Sequence, residues 1–447
     1  MTFLPAAAPG AADAIDGFPT VDALRADLQE LCRAHPDRAT ASVIGHSREG
    51  APIDVITIGD GPAQVVVAAG VHPNEPIGFR TVQRLARLLL TEPEHSRGAT
   101  WHLVPCADPD GTRLNEGWFA PPLRRADYYR GFYRPAPSEQ VEWSFPFAYR
   151  GARFDAPIPE TLALMGLFDR VRPDVFVGLH NGEFGGVYFY TNDADPALAR
   201  ELSAIPAAFG LPLDVGEPEM DGLTPLADAV FRAPLTRELI DHRLASGLGL
   251  DARAGGAGTA DYLERYGTTT MIAELPYWIH PDAADTTATD LAYREVLRTK
   301  ADHLDELHAL LTGTLDAVRP LLAIDSPFLR ASEAFAPGMG AVAVAERRRS
   351  AAAAADRPAT VAEVFGNTEV VRTFRLRFAG ILRRALDAEV HAGTAAADIR
   401  RARDALAAQW ERWLAEDPHA DLPPVPVEAL VGVQLAALFA TVRRRLA

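Results

Sequence analysis

Along the chain the spacing of apolar residues changes from helical to strand-like and back. From Val21 to His35, the residues Leu24, Leu28, Leu31 and Cys32 recur at helical spacing behind Thr20, which predicts an opening helix with Thr20 as its N-cap. Two short β-like runs follow, Ala41 to Ile44 and Ile53 to Ile58, parted by the turn-forming stretch Gly45 to Gly50. Gln64 to Ala69 is a continuous β-branched run of the kind buried on both faces, and Gly78 to Leu90 behind it has the period of a helix. Trp101 to Cys106 predicts another strand. Beyond it, Ala107 to Phe154 is rich in proline, arginine and aromatics without any period, the mark of a functional loop region. Helix returns at Glu160 to Val171, and strands at Asp174 to Leu179, Gly186 to Tyr190 and Thr268 to Glu274, the last halted by Pro276. This alternation, up to about Leu311, predicts an α/β domain with a mixed, mostly parallel sheet flanked by helices.

From Ile324 onward the pattern is helical. Val371, Phe374, Phe378 and Leu382 form one stripe, Leu406, Trp410, Trp413 and Leu414 another, and the breaker-rich stretch Asp417 to Pro426 sets off a last helix. The expected organisation is a leader at 1–17, a catalytic domain at 18–323 and a smaller all-α domain at 324–447, with roles open to the last: covering a site, self-association, or recruiting a protein partner.

With 447 residues the chain exceeds what one core normally serves, which agrees with that division. Its 44 basic against 60 acidic residues leave a net charge of -16, the wrong sign for nucleic acid or anionic lipid. Cys32 and Cys106 are too few for a disulfide framework or a thiolate metal site. The first residues lack a basic start and a continuous apolar segment, and no stretch has the roughly 20 apolar residues of a membrane span, so a cytoplasmic location is expected. G-x-S-x-G and the glycine-rich phosphate loops are missing, which disfavours a serine hydrolase or a phosphate-binding enzyme.

The sharpest local signal is His72-Pro73-Asn74-Glu75, after a buried strand and before a helix. An imidazole and a carboxylate three residues apart can turn toward one cation, and open α/β sheets bind ligands at the carboxyl ends of their strands. Alone the pair is common, and a structural reading, with Glu75 opening a helix near its positive end, explains it equally well. His180 and Glu274, however, occupy matching positions at the ends of the next two inner strands. Catalytic zinc commonly takes two ligands close in sequence and a third far away, and a carboxylate buried between Met271-Ile272-Ala273 and Leu275-Pro276 suits a general base.

Over about Phe18 to Trp278 the sequence resembles the zinc carboxypeptidases, as a divergent, bacterial-type member. The resemblance is carried by Ile44 to Gly50, Ala69 to Pro76, Asp108-Pro109-Asp110-Gly111, Leu179-His180-Asn181 and Ala273-Glu274-Leu275-Pro276, in the family's order. It implies one Zn²⁺ per chain held by His72, Glu75 and His180, with Glu274 as the catalytic carboxylate. It also implies two arginines. One stabilises the oxyanion, a part for which Arg113 is the first choice and Arg124 the second. The other, in an Asp-x-Asn-Arg-x-aromatic segment, binds the substrate carboxylate; Asp127 to Phe132 fits that segment with Tyr129 in place of the asparagine, making Arg130 the candidate. Arg253 falls near the place of the family's mobile tyrosine, and Ala260 where side-chain selectivity is often tuned, which suggests a small uncharged lining.

The expected activity is zinc-dependent hydrolysis of an amide bond, by a carboxypeptidase acting on a short or modified peptide. Two alternatives stay open: a deacylase of N-acyl amino acids or related small amides, since Tyr129 removes a donor to a terminal carboxylate, and a non-catalytic zinc-binding scaffold.

Overall fold

A computed structural model describes residues 17–447 apart from 221, 246 and 248–254. Most of the expected leader, residues 1–16, and Arg253 lie outside the described residues. The opening helix α1 (Val21–Ala34) is capped by the Thr20 hydroxyl, which accepts from the Ala23 amide. The expected strands follow as β1 (Ala39–His46), β2 (Pro52–Ile58), β3 (Ala63–Ala69), β4 (Ala99–Val104), β5 (Val175–Leu179) and β6 (Tyr188–Thr191). A short hairpin, β7 (Pro225–Ala227) and β8 (Val230–Arg232), precedes β9 (Thr269–Glu274). Together they form one sheet in the order β1-β2-β4-β3-β5-β9-β6-β8-β7. Its centre, β4-β3-β5-β9, is parallel, while β1, β2, β6 and β7 bring antiparallel pairings. The sheet is therefore mixed with a parallel heart, and parallel strands are the ones buried on both faces.

Side chains alternate across each strand, so the β3 run feeds two cores. Val65, Val67 and Ala69 join one with helix α2 (Ile77–Thr91) and α1; Val66 and Ala68 join the other with Leu164, Leu167 and Phe168 of α3 (Pro159–Val171). Register matters most at the carboxyl ends. Ala69 and Ala273 both pair with Leu179, so β3, β5 and β9 finish level, and the residues just beyond them emerge at one edge.

After α4 (Pro196–Ala204) and the short helices Thr236–Ala245 and Thr259–Leu263 come the long helices α5 (Tyr293–Val318), α6 (Pro327–Ala351), α7 (Val361–His391), α8 (Ala397–Ala415) and α9 (Val427–Arg445). Leu382 of α7, Trp410 of α8 and Val442 of α9 belong to the same core as Val65 and Leu85. The strand pairing of β10 (Ala288–Ala292) with β11 (Pro358–Thr360) runs across position 324, and α9 lies on α2, β5 and β9. Arg125, 1% exposed, reaches Asp417 at 2.9 Å and packs its guanidinium against Phe184 and Trp278, which anchors the segment between α8 and α9 to the sheet domain. No helix among the described residues is long and apolar enough to cross a membrane. Cys32 and Cys106 are free and buried.

Candidate metal centre

The level ends of β3, β5 and β9 bring His72, Glu75, His180 and Glu274 together. His72 and Glu75 lie on the turn between β3 and α2; His180 and Glu274 are the first residue after β5 and the last of β9. All four are buried. His72 Nδ1 is 3.1 Å from both Glu75 oxygens, and His180 Nδ1 is 3.3 Å from Glu75 Oε2 and 3.6 Å from Glu274 Oε1. Gly178 leaves room for this arrangement: a Cβ there would stand 2.9 Å from His180 Nε2.

The outer nitrogens meet a residue that the sequence did not single out. Glu142 Oε2 lies 3.4 Å from His72 Nε2 and 3.3 Å from His180 Nε2, so one carboxylate stands behind both rings. His72, Glu142 and His180 can each place a donor atom within 4.8 Å of the others. Two imidazoles, centroids 4.7 Å apart, thus sit between Glu75 and Glu274 on the δ1 side and Glu142 on the ε2 side.

Hydrogen bonding does not satisfy this cluster. His72 Nε2 and both ring nitrogens of His180 are buried without a hydrogen-bond partner. Buried polar atoms left in this way are costly, and a cation drawn between nitrogen and carboxylate donors removes the cost. The donors suit zinc: N and O ligands at 2.0–2.2 Å in a tetrahedron lie roughly 3.3–3.5 Å apart, which the 3.4 and 3.3 Å from Glu142 Oε2 to His72 Nε2 and His180 Nε2 match and the 3.1, 3.3 and 3.6 Å spacings on the δ1 side approach. That side also holds Glu274. With the metal there, Glu142 is placed to take the outer N–H of each ring and so fix its tautomer and orientation.

Charge within the cluster is finely divided. Burial alone would raise Glu75, but His72, His180 and Arg134 hold it well below the usual carboxylate range. Burial pushes Glu274 well above that range; His180 opposes this, while Glu75 and Glu219 add to it. His72 is lowered by burial and by Arg134, whereas His180 is raised because Glu142, Glu75 and Glu274 outweigh its burial.

Asn181 ties the loops together. Its backbone N–H donates to Glu75 (3.2 Å), its side-chain oxygen accepts from the Ile77 amide (3.2 Å) and from the Tyr277 hydroxyl (3.0 Å), and its amide nitrogen donates to the His180 carbonyl (2.6 Å). A second donor reaches that carbonyl from α9: Gln434 Nε2, at 3.0 Å, while Gln434 Oε1 accepts from the Thr81 hydroxyl of α2. Gln434 is fully buried. Gln434→Leu is expected to remove one hydrogen bond from the Thr81 hydroxyl and one from the His180 carbonyl and cost about 1–3 kcal/mol, read as a lower urea midpoint at unchanged slope; an unchanged midpoint would show that α9 is held by apolar packing alone.

The arginines stand elsewhere than the sequence suggested. Arg113 is 38% exposed and pairs with Asp22 at 2.9 Å, outside the cavity that holds the histidines. Arg124 is exposed as well. Arg130, 46% exposed, turns to Glu411 of α8 at 3.3 Å. The arginine at the centre is Arg134, whose Nη1 donates to Glu75 Oε1 at 2.9 Å. Both Arg134 and Glu142 come from the aperiodic stretch. Nothing local in the sequence marks Glu142 as a member of the centre; its neighbours Ser144 and Phe145 are fully buried.

The centre opens into a cavity of about 660 Å³, within the range of ligand sites. Its walls include β6, β9, the 214–220 loop and one face of α7, with Phe365, Thr373 and Arg377. Ala260 also lines it.

Comparison with known proteins bears on this geometry. Residues 24–210 match the family described as zinc carboxypeptidase, Peptidase_M14. The match contains His72, Glu75, Glu142 and His180, and ends before Glu274. No curated protein matches the sequence. Among solved structures, carboxypeptidase A from Helicoverpa armigera is 15% identical, with 77% of this chain and 78% of that one covered at a TM-score of 0.41. A metallo-carboxypeptidase from Burkholderia cenocepacia is 19% identical over 58% of this chain and 60% of that one, at a TM-score of 0.35. Bovine thrombin-activatable fibrinolysis inhibitor, in complex with tick carboxypeptidase inhibitor, is 12% identical over 57% and 86%, at a TM-score of 0.39.

Proposed function

We infer that this chain, a metallocarboxypeptidase-like hydrolase with a zinc carboxypeptidase domain at residues 24–210, cleaves an amide bond in a short or modified peptide. In this reading His72, Glu75 and His180 hold the zinc, Glu274 carries protons and Arg134 serves the oxyanion. The observation that supports it best is the place of Glu274: a buried carboxylate 3.6 Å from His180 Nδ1, the nitrogen that also faces Glu75, in the wall of a cavity large enough for a peptide residue.

When bound, zinc supplies Lewis acidity toward a carbonyl oxygen and toward water. Glu274 takes a proton from the attacking water and returns it to the leaving amine, which needs a carboxylate whose affinity for protons is raised, as burial raises this one. Arg134 reaches the centre through Glu75 and can swing its guanidinium to the oxygen on which negative charge develops. Arg134→Ala is expected to lower kcat by roughly 100- to 1,000-fold with zinc content unchanged; a loss of tenfold or less would remove Arg134 from this part.

Catalysis is assigned to residues 18–323, and the helices of 324–447 roof the cavity through α7. A second reading, deacylation of a small N-acyl compound, is favoured by Tyr129 in the asparagine's place and by Arg130 turned to Glu411. Matched peptides with free and amidated C-termini test the two. A tenfold or greater preference for the free acid supports carboxypeptidase action, and indifference supports the second reading. Failure of the zinc-loaded protein to hydrolyse any amide in a broad panel would end both.

A further inference from the structure

Every residue of the 214–220 loop lines the cavity, yet the loop belongs to no helix or strand. Its anchor is Glu217, whose side chain is 6% exposed. The carboxylate accepts from the Tyr293 hydroxyl of α5 (2.8 Å) and the Asn367 amide of α7 (2.9 Å), and pairs with Arg349 of α6. One side chain thus gathers three helices. Behind it the charges alternate: Arg349 also holds Glu346 at 2.8 Å, and Glu346 holds Lys300, a cavity-lining residue of α5, at 2.8 Å. Such a set balances out of water, and removing one member leaves a buried charge uncompensated.

A second observation is independent of charge. Gly216 passes so close to α7 that a Cβ there would stand 2.5 Å from the Ala362 carbonyl oxygen and 2.8 Å from its carbon, so only a residue without a side chain fits this seat. On the other flank the Val215 amide donates to the Ala283 carbonyl at 3.3 Å. Beyond the seat, Glu219 accepts from the hydroxyls of Tyr190 (3.0 Å) and Tyr188 (3.4 Å), and Tyr188 pairs with Glu274 across β6 and β9. The loop therefore spans the cavity wall from the helices to the strand beside the proton carrier.

We propose that α5, α6 and α7 are part of the substrate site, holding the 214–220 wall in place beside the metal centre through Glu217, a positioning residue, and through the close seat of Gly216. The helices then shape the space in which substrate sits, and the chemistry is left to groups carried by the sheet. His72, His180 and Glu274 take their places from the ends of β3, β5 and β9. Loosening the wall weakens the ground state and the transition state alike, which raises KM and spares kcat. The proposal rests on the hydrolase reading for turnover, while the fastening of the wall is measured without it.

Two variants of the zinc-loaded full chain reach the wall by unrelated routes. Glu217→Gln keeps the size of the side chain and removes its charge; Gly216→Ala keeps every charge and pushes the loop off Ala362. In each, KM for the peptide that the wild type cleaves fastest is expected to rise about fivefold or more, with kcat within about threefold and zinc content unchanged. Leu382→Val, in the core of α7 away from the loop, is expected to lower the melting temperature and leave KM in place, which separates a held wall from a less stable fold. Unchanged KM in the two wall variants, a fall in kcat instead, or an equal rise of KM in Leu382→Val overturns the proposal. Hydrogen exchange followed by mass spectrometry gives a readout apart from turnover. The backbone amides between 215 and 220 are expected to exchange about tenfold faster in both wall variants than in the wild type, and equal rates overturn the proposal. If no amide is hydrolysed, the reaction assigned above fails, and hydrogen exchange alone decides whether the helices hold the wall.

Discussion

Glu274→Gln is expected to lower kcat for amide hydrolysis by about 100- to 10,000-fold, the usual range for removing a positioned general acid–base group, while zinc content stays at one per chain. Glutamine keeps the size of the side chain and a hydrogen-bonding oxygen but can neither accept nor return a proton. The site makes the exchange a clean one. Glu274 closes β9 at a fixed register opposite Tyr188, and its neighbours Ala273 and Leu275 are buried, so the backbone position does not depend on the charge. Turnover by progress curve and metal by mass spectrometry, on the same preparation, give the answer. Activity within threefold of wild type would mean that another group moves the proton.

His72→Ala and His180→Ala are expected to abolish both stoichiometric zinc and turnover. Each ring faces Glu75 with Nδ1 and Glu142 with Nε2, so deleting either leaves two buried carboxylates with one imidazole between them. Like charges brought together out of water repel strongly, and protonating one of them removes a ligand. Wild-type protein stripped of metal should regain thermal stability on zinc addition, by about 4 kcal/mol at a thousandfold excess over the dissociation constant, and neither variant should respond. One zinc per chain retained in His180→Ala would place the metal elsewhere.

The parts of this centre that could be read in the sequence are those attached to regular structure. Val65 to Ala69 announces a doubly buried strand, and His72-x-x-Glu75, His180 and Glu274 stand where strands end, so a common edge follows from the alternation of elements. Arg134 and Glu142 come from a stretch with no period, and nothing local tells which of its arginines turns inward. The difference is tertiary. Arg113 and Arg130 find acidic partners on α1's first turn and on α8, Asp22 and Glu411, and those contacts exist only in the folded chain. Likewise, the spacing of Leu382, Leu406 and Trp410 shows amphipathic helices but not the surface they cover. Gln434 is a lone amide in an otherwise apolar run, and only the Thr81 hydroxyl and the His180 carbonyl explain it.

That amide links two moments in the life of the chain. Gln434 follows His180 by 254 residues, so at about 5–20 residues per second a ribosome adds it roughly 13–50 s after the histidine. In that interval the β5 end has been made but α9, which lies over β5 and β9 and braces the His180 carbonyl, has not. A chain that stops short of α9 carries His72, Glu75, His180 and Glu274 without that brace.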